Sequence, residues 1–145
     1  KGIIKNISGK KISTSYRTVD KTNILLFLDV VLNINKNNVF DGNILLEYSK
    51  YRNITQPIGQ WSSGCIFKNP SKTISASSLI DSLEIKNRKI GGIYISKKHC
   101  NYFINDGSGT CEDLVKLISH VTDLVKRKYA ISLTTEICVY RGDNE

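Results

Sequence analysis

Residues 110–129 constrain the fold more than any other part of this chain. Leu114, Leu117, Ile118, Val121, Leu124 and Val125 recur at three- and four-residue intervals, which puts their side chains on one face of a helix. Thr110 with Asp113 three positions on is a capping-box pattern, Asp standing where Glu or Gln is usual. Lys126, Arg127 and Lys128 fall in the last turn, where the helix dipole favours cations. Such a helix needs an apolar surface to lie on. Short alternating runs at 93–96 and 102–105, joined by 97–101 as a loose hairpin, and an extended stretch at 62–70 are the candidates for it.

The remaining elements are weaker. Asp41 can cap a helix over 41–51 in which Ile44, Leu45, Tyr48 and Tyr51 share a face. Leu79, Ile80 and Leu83 mark a short helix within 75–83, and residues 136–140 read as a last strand. Residues 24–34, ILLFLDVVLNI, form a near-continuous apolar run broken by Asp29, the pattern of a strand covered on both faces. Residues 1–11 are basic with scattered Ile and read as a strand or loop entry. A polar cluster at 33–38 suggests a seam, dividing the chain into 1–35 and 36–145. Short strands between helices predict an α+β domain: a small mixed sheet with two to three packed helices.

Composition excludes several classes of function. The 145 residues hold 21 Lys+Arg against 13 Asp+Glu, a net charge of +8 that attracts anions without choosing among them. The lysines form no run of five or six, which argues against a nucleic-acid arm, and the tyrosines have no spacing of an RNA-binding module. Cys65, Cys100, Cys111 and Cys138 lie far apart with only two histidines, so neither a zinc site nor a disulfide framework is expected. No apolar run approaches the ~20 residues that span a bilayer. A cytoplasmic protein with reduced thiols is the expectation, with no membrane and no nucleic acid as partner. The chain starts at Lys1 and contains no methionine, which suggests a piece of something longer or a processed product.

The chemistry concentrates in Ser62-Ser63-Gly64-Cys65-Ile66-Phe67-Lys68-Asn69-Pro70. Gly64 allows a sharp turn, and Pro70 ends regular pairing. A thiol, a cation and an amide within five residues suit an anionic ligand held beside a proton donor. The plainer alternative is a buried strand at Cys65, Ile66 and Phe67 with Gly64 as an ordinary turn.

The order of motifs resembles the C-terminal part of the MurB family, the UDP-N-acetylenolpyruvoylglucosamine reductases of peptidoglycan synthesis. The resemblance rests on Arg52 with Gln56-Pro57, on Ser62 to Pro70, on Ile90-Gly91-Gly92, on Ser96 with His99, on Phe103-Ile104-Asn105, and on Glu136 after the long helix. It implies a FAD-dependent reduction of an enolpyruvyl ether, UDP-N-acetylglucosamine enolpyruvate, with NADPH reloading the flavin. On that resemblance Cys65 is the proton donor; an ordinary thiol, with a pKa near about 8.5, is mostly protonated at neutral pH. Glu136 assists from the opposite side of the substrate, and Arg17 withdraws charge from its carboxylate. Ser63, Gly64, Lys68, Asn69 and His99 are implied on the substrate side, and Tyr16 with Arg17 toward the cofactor.

The chain also departs from the family pattern. Val19 replaces a serine, Ser77 a glycine, and Thr135 a proline, while Glu84 to Asn87 loses two glycines. Positions that need a positive φ tolerate Asn87 better than Glu84. Nothing in the sequence resembles the family's glycine-rich flavin loop. Residues 1–35 are therefore expected to be the tail of a FAD-binding domain and 36–145 a substrate-binding domain, with the rest of the FAD domain supplied in cis or in trans. The alternatives are a nucleotide-sugar-binding remnant without catalysis, and a basic domain that binds nucleic acid.

Overall fold

A computed structural model describes residues 3–19, 26–34 and 41–139. The chain divides into two compact units, Lys1–Phe40 and Asp41–Glu145.

The first unit carries a 3-10 turn, Gly9–Lys11, and a hairpin of β1, Thr14–Ser15, with β2, Thr18–Val19. Tyr16 and Arg17 form its two-residue loop, and Arg17, its second residue, takes φ 54°, the left-handed value that type II turns have at that position. The strand expected at 24–34 is absent over the described part, 26–34. Residues 26–34 have no strand partner and their apolar side chains are exposed, Val31 by 94%. Two-sided cover requires neighbours to accept the backbone hydrogen bonds, and the described residues of this unit offer none. Residues 24 and 25, and positions 35–38 of the expected seam, lie outside the described residues.

The second unit contains the core. Helix α1, Gly42–Thr55, starts at Asp41, whose carboxylate accepts from the Asn43 amide at 2.9 Å. It runs a turn further than the apolar pattern suggested. Helix α2, Ala76–Asp81, is capped by Ser75 and buries Leu79 and Ile80. Strands β3, Lys89–Ile90, β4, Ile93–Ile95, and β5, Phe103–Asn105, form an antiparallel sheet in that order. Helix α3, Cys111–Tyr129, has the full capping box at Thr110 and Asp113 and buries Leu117, Val121 and Val125 against the sheet.

Residues 65–68 complete this layer. Cys65 bridges Tyr102 on one side and Phe67 bridges Thr135 on the other, both antiparallel. The Ile66 amide donates to the Asn101 carbonyl, and the Ile66 carbonyl accepts from Glu136. Ile66 and Phe67 are fully buried core residues. The last strand expected at 136–140 is reduced to this pairing at 134–136, because Ala130 ends α3 in a left-handed conformation and brings the chain back early. Tyr140 lies outside the described residues. The result is an α+β fold with three α-helices and two small sheets among the described residues.

Candidate functional site

The site grows from the passage of chain through Gly64. Its φ of 83° lies in a region open to glycine, and the space beside its Cα is empty, so the glycine serves the turn rather than a close contact. The turn delivers Cys65 half-buried at the entrance to a segment whose next two residues are core. As cross-strand partners, Cys65 and Tyr102 present their side chains on one face.

Around that pair the fold brings together residues distant in sequence. The Tyr102 hydroxyl is within hydrogen-bonding reach of the Cys65 thiol, and both Arg52 and Glu136 are close enough for their charges to act on it. Burial first, then the charge on Cys65, pushes the Tyr102 phenol up. Glu136 is half-buried and held by its amide on Ile66. Arg52 sits in the last turn of α1. Lys98 ties that turn to the hairpin loop by donating to the Asn53 carbonyl at 3.1 Å.

A shell of side-chain to backbone bonds fixes Tyr102. The buried Asn101 amide donates to the Phe67 carbonyl at 2.8 Å and accepts from the Phe67 amide at 2.9 Å, so one side chain replaces a strand partner. The Ser96 hydroxyl accepts from Lys98 and His99 amides. His99 accepts from the Asn101 amide through Nδ1 and packs its ring edge-on against Tyr102 at 4.7 Å. Burial holds His99 below the ordinary histidine range, which keeps Nδ1 an acceptor.

Of the other residues singled out in the sequence, Tyr16 and Arg17 belong to the first unit and the rest to the second. Lys68 is half-buried and its amide donates to Thr134. Asn69 is exposed, and its Oδ1 accepts from the Ala76 amide at the start of α2. Ser63 lines a cleft of about 290 Å³ with Trp61, Phe103, Asn105, Thr110 and Leu114. Asn105 organises the loop there, accepting from Gly107 and Gly109. Glu112 and Asp113 in the first turn of α3 oppose a phosphate at that end. Tyr16 and Arg17 lie in the first unit, the guanidinium 5.8 Å from the centre of the tyrosine ring. Two members of the cluster, Tyr102 and Arg52, were not picked as site residues from sequence. Arg52 had a signal in its spacing to Gln56-Pro57, while Tyr102 had none, since cross-strand pairing with Cys65 depends on register.

The paired glycines, Gly91 and Gly92, are packed: a methyl on Gly91 would overlap the Asp113 carboxylate, and one on Gly92 the Gly109 backbone. Among the described residues there is no group of three His, Cys, Asp or Glu that could hold a metal, and no helix long and apolar enough to cross a membrane.

Comparison with known proteins gives a consistent picture. Residues 56–140 match the sequence profile of the UDP-N-acetylenolpyruvoylglucosamine reductase C-terminal domain. The UDP-N-acetylenolpyruvoylglucosamine reductase of Fervidobacterium nodosum is 40% identical over 107 residues, 74% of this chain and 34% of its own. That of Bacillus subtilis is 30% identical over 145 residues, 98% of this chain and 48% of its own. The crystal structure of the Thermus caldophilus reductase superposes with a TM-score of 0.57 at 29% identity, over 68% of this chain and 34% of that one. The chain thus spans about a third to a half of the length of these relatives.

Proposed function

The chain belongs to the UDP-N-acetylenolpyruvoylglucosamine reductase C-terminal-domain family, and from that premise we propose that it is the substrate-binding, proton-donating part of a reductase acting on UDP-N-acetylglucosamine enolpyruvate. The hydride belongs to a FAD domain, reloaded by NADPH, that works with this chain in cis or in trans. The relatives are named for the same substrate and are two to three times longer than their matched segments.

Cys65 is the acid in this reading. Hydride arrives at one carbon of the enolpyruvyl double bond; the Sγ–H bond breaks as a C–H bond forms at the other carbon, and the electron pair stays on sulfur. Glu136 and Arg52 flank the reacting group with opposite charges, where they act on charge that develops on the substrate. Arg17 adds a cation for the substrate carboxylate, and Tyr16 contacts the cofactor. Ser63, Gly64, Lys68, Asn69 and His99 line the substrate side.

The observation that supports this best is that Cys65 faces Tyr102 across an antiparallel bridge, with Glu136 and Arg52 near enough for their charges to act on Tyr102. The test is a reconstituted reductase containing this chain and its FAD domain. Cys65→Ala should leave flavin reduction by NADPH intact and slow reoxidation by the enolpyruvyl substrate by about 10²-fold or more, in line with loss of a general acid. Equal reoxidation rates in variant and parent remove Cys65 from the reaction.

A further inference from the structure

We infer, building on the reading of Cys65 as proton donor, that Tyr102 is its positioning residue: the phenol hydroxyl donates a hydrogen bond to Sγ and holds the thiolate that proton transfer leaves behind. The geometry begins with the backbone. Cys65 and Tyr102 are directly opposed in an antiparallel bridge, so their β-carbons stand about 5 Å apart on one face. The Ile66 amide on the Asn101 carbonyl, and the two bonds between the Asn101 side chain and Phe67, lock the register of that bridge. A slip of one residue would send Tyr102 to the other face.

The ring itself is held. The edge-on contact with His99 fixes its lateral position, and the His99 Nδ1 bond to the Asn101 amide fixes His99 in turn. The hydroxyl is within hydrogen-bonding reach of the thiol.

The chemistry selects the direction of the bond. A phenol with an ordinary pKa near 10 is a weaker acid than a thiol, and Tyr102 is pushed up further, chiefly by burial and then by charge on Cys65. The hydroxyl therefore keeps its proton when the thiol loses its own, and remains a donor to the sulfur. A hydrogen bond to a charged partner is roughly twice as strong as a neutral one, so the thiolate gains more from Tyr102 than the thiol does. The other ionisable groups bearing on the pair are Glu136 from the returning segment, Arg52 from α1 and His99 from the hairpin loop. Arg52 pulls the Tyr102 phenol down and Glu136 pushes it up, while burial holds His99 below its usual range and so keeps it neutral.

The test titrates Cys65 in the full chain, with the exposed thiols removed as Cys111→Ser and Cys138→Ser. Thiolate ultraviolet absorbance is followed against pH, and the matched Cys65→Ser protein is subtracted to remove Cys100. Tyr102→Phe keeps the ring against His99 and deletes the donor; it should raise the Cys65 midpoint by about one pH unit or more, the size of a lost charged hydrogen bond. Tyr102→Leu should raise it as much. A Tyr102→Phe midpoint equal to the parent's overturns the inference, and a shift in Tyr102→Leu alone assigns the ring a packing role and overturns it equally. The titration uses neither flavin nor substrate nor companion domain. Its failure is therefore separate from that of the proton-donor reading, which normal reoxidation in Cys65→Ala would end.

Discussion

Glu84 and Asn87 take φ values of 56° and 61°. Both sit in the loop after α2, where the Glu84 amide donates to the Asp81 carbonyl and the Asn87 amide to Ile95. The left-handed conformation costs an ordinary side chain about 1–2 kcal/mol, while glycine there costs up to about 1 kcal/mol through the freedom of the unfolded chain. Glu84→Gly should therefore stabilise the protein by roughly 0.5–1 kcal/mol in urea unfolding. Asn87→Gly should gain less, because asparagine tolerates the region; a loss of stability in Glu84→Gly would show that its side chain has a role the backbone argument omits. These two residues were legible in sequence, since they stand where the family has glycine. Asn101 was not. Its paired bonds to Phe67 substitute for a strand neighbour, yet in a sequence such an asparagine looks like any loop residue. Asn69 and Ser96 stand out in the sequence as parts of the family pattern, but nothing there shows that their side-chain oxygens accept from nearby backbone amides.

At the scale of elements, the β3–β4 hairpin and the start of α3 form one unit. Gly91 and Gly92 are the two-residue loop between Ile90 and Ile93, and Asp113 accepts from the Thr110 amide at 3.0 Å as part of the capping box. The bonds from Thr110, then the Gly92 backbone, hold the Asp113 carboxyl below its usual range. A methyl on Gly91 meets that carboxylate, which can swing away if the cap is loosened. A methyl on Gly92 meets the Gly109 backbone, which has no such freedom. Gly92→Ala should thus cost about 2–3 kcal/mol as an overpacked contact, measured by thermal or urea unfolding. Near-wild-type stability in Gly92→Ala would mean that the hairpin and the 107–109 loop are less closely packed than described. The glycine pair was visible in the sequence as part of a family pattern, whereas its structural task depends on what lies against it. Helix α3 was readable because its period and caps are local properties. The run at 26–34 was misread because strand formation is not local: the same residues form a strand only beside a partner.

For the whole molecule, the hydrophobic core cluster among the described residues runs from Ile66 to Leu133, inside the Asp41–Glu145 unit. The first unit has short hairpin strands and large exposed apolar side chains, Leu26, Leu28, Val30 and Val31 among them. Unfolding cooperativity and the denaturant slope both follow the surface buried in the native state. A chain reduced to residues 41–145 should therefore unfold in one transition, with a urea midpoint and slope close to those of the full 145 residues. The deletion should also reduce self-association, because contiguous exposed apolar surface drives it. If both midpoint and slope fall, residues 1–40 contribute buried surface that the second unit needs. The exposed apolar side chains of α1, such as Leu45 and Leu46, remain in the shortened chain, so any self-association that survives the deletion is assigned to that helix. Sedimentation of the 41–145 chain with Leu45→Lys then separates the two sources, since a charge on α1 should abolish only the remainder.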